Sequence, residues 1–281
     1  MRRRPAWPRT AADAAVKGVS VLAAMIGLAA LAWILVVVLR HGAAALDVRL
    51  LTSLPSPPGG TGGGLGNAIV GTLAMTLLAC ALGIPVGMLA GVYLAEFGRG
   101  SRLAGTVRFM VNVMIGIPSI IIGLFVYTIM VVSVGHFSGW AGGVSLALLI
   151  LPVVARTTED MLVLVPNSLR ESALALGAAR WRTTLQIVFR SARAGLLTGV
   201  LLAVARVSGE TAPLLFTALN SPYWPRSLSG PTANLTVTIY NYAMSPYPDW
   251  QRIAWGASFF ITIGVLALTI VSRALVRERK K

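Results

Sequence analysis

Six stretches of this chain are longer and more apolar than the core of a water-soluble domain can use. They lie at about 19–39, 68–95, 109–132, 140–155, 196–219 and 254–276. An apolar run of about 20 residues crosses a hydrocarbon layer of about 30 Å as a helix, because every backbone group then finds its partner within its own segment. The fourth run, WAGGVSLALLILPVVA, is the shortest and stops at Arg156. Only 12% of the residues are charged and 56% are hydrophobic, with a mean hydropathy of +0.77, so lipid is the solvent this composition fits. The sequence predicts an all-α integral membrane bundle of six transmembrane helices, with bends in four of them at Pro85, Pro118, Pro152 and Pro213.

Basic residues orient the spans, since Lys and Arg collect in cytoplasmic segments. With the N-terminus inside, nineteen of the 24 fall on the inner side, in the segments at 2–17, 99–108, 156–193 and 273–281. The outer segments hold only Arg40, Arg49, Arg226 and Arg252, and the remaining one, Arg206, lies within a span. Both termini are therefore predicted to be cytoplasmic. A formal net charge of +15 could serve nucleic acid, but its division among all four inner segments is what membrane topology requires, and no nucleic-acid partner is expected. MRRRPAW and the AAA at 43–45 resemble the flanks of a cleaved signal peptide. The apolar run between them is too long for one, and a retained first span is predicted.

Little in the chain suggests chemistry on a substrate. Cys80 is the single cysteine and lies mid-span, and His41 and His136 have no second ligand at metal spacing. The segment 40–66 contains SLPSPPGGTGGG, which reads as a flexible outward linker. The outward loop at 220–253 and its edge carry Tyr223, Tyr240, Tyr242, Tyr247, Trp224, Trp250 and Trp255. Two readings are open for these rings: an interfacial belt at the headgroups, or a docking surface for an external protein.

The inward loop at 156–195 reads as helical. Ser168 stands three residues before Glu171, the spacing of a capping box, and Pro166 lies just upstream as a breaker. Ala173, Ala175, Gly177, Ala178 and Ala179 follow, small residues that let another surface approach the backbone. A helix lying on the membrane face is the plain alternative. This stretch, ESALALGAARWRTTLQI, resembles the cytoplasmic EAA loop of ABC importer permeases, with Glu171 and Ala173 in the first positions, Gly177 four residues on and Ile187 ten after that. The family's usual Leu-Pro is replaced by Phe189 and Arg190.

The stretches GNAIVGTLAMTLLACALGIPVGMLAGVYLAEFG, IPSIIIGLFVY, LPVVARTTEDMLVLVPNSLRESALALGA, SGETAPLLFTALNSPYWP and IYNYAMSPYPDWQRIAW resemble the phosphate-transporting branch of that family, from about Gly66 to Ser272. The resemblance implies a type I importer permease core at 66–276, preceded at 1–65 by a basic N-terminus, an added span and the linker, and followed by a basic tail at 277–281. It implies residence in the bacterial inner membrane and a coupling helix in the EAA-like loop, carried by Ser168, Glu171, Ala173 and Gly177. It also implies partners: a second, related permease, two copies of an ATPase subunit and an external phosphate-binding protein, with inorganic phosphate as cargo. ATP and Mg would belong to the ATPase subunits. The only lysines, Lys17, Lys280 and Lys281, do not follow a glycine, so the chain has no phosphate-cradling P-loop and no cofactor of its own is expected.

One pair of residues stands out against the lipid-soluble background. LLAVARVSGETAPLLF places Arg206 and Glu210 four positions apart inside the fifth run, with Arg206 about 15 Å from its start. Each charge near mid-membrane costs about 2.5–3.5 kcal/mol before pairing or water relieves it. They could form an internal ion pair on one helix face, although basic-then-acidic is the weaker order. Alternatively, Arg206 lines a polar passage and meets a phosphate oxyanion with its planar, permanently charged guanidinium, while Glu210 holds the side chain and prevents the anion from being trapped. Gly209 and Pro213 permit a local bend there. Thr72, Thr76, Asn112 and Ser119 could line the passage or only pack helices. Permeation of another oxyanion (phosphonate, molybdate or sulfate) is the nearest rival, followed by a stand-alone channel or gradient-driven carrier.

Overall fold

The computed structural model describes residues 7–98 and 100–277 and is helical throughout. Helix α1 spans Trp7–Ala44 and is followed by the short α2, Val48–Thr52. Helix α3, Gly66–Val92, continues without a break into a π-helical turn at Tyr93–Phe97. Helix α4 is Arg102–Gly116 and α5 is Ser119–Val126, extended by a π turn at Tyr127–Val131 and the single turn α6, Val132–Val134. Helix α7 covers Gly139–Val163, and the polar segment beyond it holds α8, Asn167–Ala175, and α9, Arg180–Arg182. A π stretch at Thr183–Val188 leads into α10, Phe189–Ser208, which is followed by α11, Ala212–Thr217. Helices α12, Leu235–Ala243, and α13, Pro248–Arg277, complete the chain.

Five of these segments are long and apolar enough to cross a membrane; the count reaches six only if α4 and α5 make one span. The third span is bent where Pro118 predicts, and sharply: its two helices meet at 104° across the break between Gly116 and Ser119. Ile117 precedes a proline and takes an extended ψ of 128°, the conformation that proline's ring forces on its neighbour. Pro85 and Pro152 lie inside unbroken helices, and Pro213 opens α11 in the first turn, where its missing N–H costs nothing. The fourth span does not stop at Arg156 but runs two turns further, to Val163.

The spine of the bundle is the pair α3 and α7. Asn67, Gly71, Met75, Ala79, Gly83, Gly87, Gly91 and Ala95 recur every fourth residue and are all buried. Such a ridge of small residues lets two backbones approach closely, the main source of helix cohesion where lipid is as apolar as leucine. The glycines are required here: a Cβ on Gly87 would stand 2.7 Å from the Leu151 carbonyl oxygen, and one on Gly91 would stand 2.5 Å from that of Ala155. Gly142 faces Met75, Gly83 faces Ala147 and Gly91 faces Thr158, so the two helices run parallel. Helix α10 returns against them, with Gly199 on Thr157 and Gly195 on Met161.

Helix α1 stands apart from this core. None of its most apolar stretch is buried, and it touches α13 at its end, where Gly42 meets Phe259 and His41 stacks on Trp255 at 4.7 Å. The proline and glycine linker is folded rather than an open tether. The Ser56 hydroxyl donates to the Gly62 carbonyl at 3.1 Å, Gly64 N–H to Leu54, and Trp250 Nε1 to the Ser56 carbonyl at 3.2 Å.

Candidate functional site

Arg206 occupies the last turn of α10, and the helix stops two residues later because Gly209 leaves helical geometry, at φ −98° and ψ 2°. Val204 and Ser208, on either side of it, line a cavity of about 320 Å³ with Thr72, Thr76 and Cys80 of α3. Arg206 thus lies at the level of Thr76, ten residues or about 15 Å from the Gly66 end of α3. Its side chain is exposed on the isolated chain, that of Glu210 is half-buried, and neither makes an ion pair or hydrogen bond among the described residues. The internal ion pair that their spacing allowed is absent, and Glu210 does not hold Arg206. The reason is local: positions i and i+4 share a face only while the helix lasts, and Glu210 lies beyond its end.

The break is itself anchored. The Thr236 hydroxyl donates to the Glu210 carbonyl at 2.8 Å, and Thr72 Oγ1 accepts the Leu235 N–H at 2.9 Å. Asn234 caps α12, its Oδ1 accepting from Val237 N–H at 2.8 Å and from Thr236. Its own Nδ2 is buried without a partner. Thr72 is thus a packing contact, as its sequence allows, whereas the only sequence signal for Thr236 and Asn234 is a cap residue before an amphipathic stretch. Asn112 and Ser119 fall on the two sides of the α4–α5 break.

At the Gly66 end of α3, three of the seven aromatic residues pack on one another. Tyr242 stacks on Trp250 at 4.4 Å and Tyr247 meets it edge-on at 5.5 Å, beside a cavity of about 730 Å³. Burial raises the Tyr242 hydroxyl above its ordinary pKa. Tyr223 and Trp224 remain exposed.

The opposite end carries the EAA-like segment. Helix α8 begins at Asn167 with Pro166 in the cap position and no side-chain cap, so Ser168 and Glu171 form no capping box. Both are exposed, whereas Ala173 is buried. Gly177 ends the helix at φ +81°, with its N–H bonded to the Leu174 carbonyl at 2.9 Å and that of Ala178 to Ala173 at 3.1 Å. This is a Schellman turn, and it explains the glycine: the left-handed conformation, since the space around it is open. Leu176 beside it is 89% exposed and Trp181 is 55% exposed, an apolar patch with no covering in this chain.

Two ion-pair clusters sit at this end, and the sequence showed neither. Arg170 is buried, and its Nη2 lies 2.6 Å from Glu96 Oε1 in the π turn of α3. Arg108 of α4 pairs with the buried Glu159 of α7 at 2.7 Å, while Arg156 reaches Asp160 at 3.1 Å and Glu159 at 3.9 Å. The partners are 74 and 51 residues apart, beyond any local pattern.

Residues 83–277 match the family model of binding-protein-dependent transport system inner membrane components. Over 279 residues the chain is 47% identical to the phosphate transport system permease protein PstA of Yersinia pestis, covering 99% of this chain and 94% of that protein. Over 264 residues it is 49% identical to PstA of Haemophilus influenzae, covering 94% and 93%. Its fold is similar to that of the inward-facing MetNI methionine ABC transporter, with a TM-score of 0.63 at 24% identity over 76% of this chain and 95% of that one. A bacterial importer of the polysaccharide alginate gives a TM-score of 0.61 at 17% identity, over 97% and 100%. The chain therefore belongs to the inner-membrane permease family of binding-protein-dependent ABC transporters, within the group of phosphate transport system permeases.

Proposed function

We propose that this chain forms half of the translocation pathway of an ATP-driven phosphate importer, with a second, related permease forming the other half. Phosphate as the cargo is supported by near-half identity to phosphate transport permeases over almost the whole chain. The charge bias of its loops favours cytoplasmic termini, which would put α8 in the cytoplasm and the Tyr242–Trp250 cluster outside. In that orientation the exposed Leu176 and Trp181 beside the Gly177 turn offer an apolar face to an ATPase subunit, one copy on each permease. Glu171 and Ser168 add polar rim contacts there. The Tyr223–Trp224 side faces the external phosphate-binding protein.

The single observation that carries the pathway assignment is Arg206: a permanently charged side chain in the last turn of the α10 span, with no ion pair among the described residues, placed where the helix breaks. An arginine left unpaired inside a span is costly unless water or an anion reaches it. Its paired N–H donors fit a phosphate oxyanion. Glu210, unpaired and adjacent, lowers the local positive potential and so favours release over trapping. ATP and Mg act in the ATPase subunits, and this chain supplies geometry only.

The test is uptake of labelled phosphate by vesicles holding the assembled complex, with the ATPase subunits and binding protein present. Arg206→Ala assembles and does not transport. Normal uptake by that variant contradicts the assignment. The same vesicles challenged with sulfate, molybdate and phosphonate separate phosphate from its nearest rivals.

A further inference from the structure

Arg170 has every one of its five N–H donors engaged, and the acceptors come from three separate elements. Its Nε donates to Glu96 Oε1 at 3.1 Å and Oε2 at 3.2 Å, and Nη2 donates to Glu96 Oε1 and, at 2.7 Å, to the Leu162 carbonyl. Nη1 donates to the Val165 carbonyl and, at 3.4 Å, to Asn167 Oδ1. Glu96 belongs to the π turn ending α3, Leu162 to the last turn of α7, Val165 to the connection between α7 and α8, and Arg170 itself to α8. Past the Schellman turn, Arg180 adds a second tie, from Nη2 to the Glu96 carbonyl at 3.3 Å, with its guanidinium 5.9 Å from the Phe97 ring. Helix α8 is thus fastened from both sides to the ends of the two helices that form the spine of the bundle.

We infer that Arg170 is the joint that makes α3 and α7 follow any displacement of α8. This rests on the reading of α8 as the contact for the ATPase subunits and deepens it by naming the residue that carries the motion onward. The physical argument is directional. A planar guanidinium with five filled donors fixes angle as well as distance, whereas a lone ion pair lets its partners swivel. The α3–α7 interface, closed by backbone contacts at Gly83, Gly87 and Gly91, then passes the motion as one body to Thr72 and Thr76, at the level of Arg206. Lysine keeps the charge but offers three donors on a swivelling stem, so it cannot hold Glu96 and the Leu162 and Val165 carbonyls together.

The experiment uses the assembled complex in vesicles and reads phosphate moved per ATP hydrolysed. Arg170→Lys and Glu96→Gln are expected to lower that ratio at least tenfold while ATP hydrolysis continues within about threefold of the parent. A ratio equal to the parent's in Arg170→Lys overturns the inference, because a purely electrostatic or structural tie is restored by lysine. Independently, spin labels at Ser172 of α8 and Leu89 of α3, in a Cys80→Ala background, give a distance that stays constant between nucleotide-free and ATP-trapped states. In Arg170→Lys the same distance changes between those states. A changing distance in the parent complex overturns the joint, and this reading decides alone if Arg170→Lys does not assemble. The distances are independent of cargo, so a complex that carries a different anion, or none, counts against the phosphate assignment and leaves the joint standing.

Discussion

Arg170 and Arg206 are both arginines set against apolar helices, one buried in this chain and the other exposed on it, and they are treated in opposite ways. Around Arg170 every donor is matched, by a carboxylate from the π turn ending α3, the Leu162 carbonyl of α7, the Val165 carbonyl just beyond it and one side-chain amide. Around Arg206 none is matched, and the carboxylate four residues away lies past the end of the helix. The first arrangement fixes three elements relative to one another. The second leaves a charge available to something that is not part of the chain. An arginine's role here is thus read from what surrounds it rather than from its depth.

Deleting the charge at the matched site should have the largest effect on stability. Arg170→Met leaves Glu96 buried without a partner, and breaking such a pair costs about 3–5 kcal/mol. Thermal unfolding of the purified complex should fall accordingly, and adding Glu96→Leu should recover most of the loss without restoring coupled transport. At the unmatched site the pattern inverts. Arg206→Met should leave thermal stability within about 0.5 kcal/mol, yet reduce phosphate uptake roughly 100-fold, the worth of one charge-assisted contact of about 2–3 kcal/mol. Arg206→Lys keeps the charge and loses the fork, so uptake should fall about tenfold. The smallest change belongs to the turn between the two regions. Gly177→Val forces a branched side chain into left-handed backbone at about 1–2 kcal/mol, whereas Gly177→Asn costs less. Co-purification of the ATPase subunit should weaken in that order.

The sequence made one of these sites visible and hid the other for the same physical reason. Arg206 shows because an apolar run surrounds it, and any charge there demands an explanation. Arg170 sits in a polar segment rich in arginine, and Glu96 lies 74 residues away, so nothing local marks the pair. Long apolar runs revealed the spans, but not the 104° break at Ile117 and Pro118, because proline is consistent with both a bend and a rupture. Indeed Pro85 and Pro152 sit in continuous helices. The ridge from Asn67 to Ala95 was legible in principle as small residues every fourth position. Which helix it meets was not, since that depends on α7, which begins 73 residues after the start of α3, running parallel to it. The Ser168 and Glu171 spacing suggested a cap, but the cap position is Pro166, two residues earlier.

The most direct test of the central claim is chemical access to position 206. In a Cys80→Ala background, Arg206→Cys in the assembled complex is treated with a water-soluble, positively charged thiol reagent, with and without phosphate and in each nucleotide state. The account predicts modification from the aqueous phase in at least one state, slowed by phosphate. A thiol that stays unmodified in every state, or whose rate ignores phosphate, would contradict it.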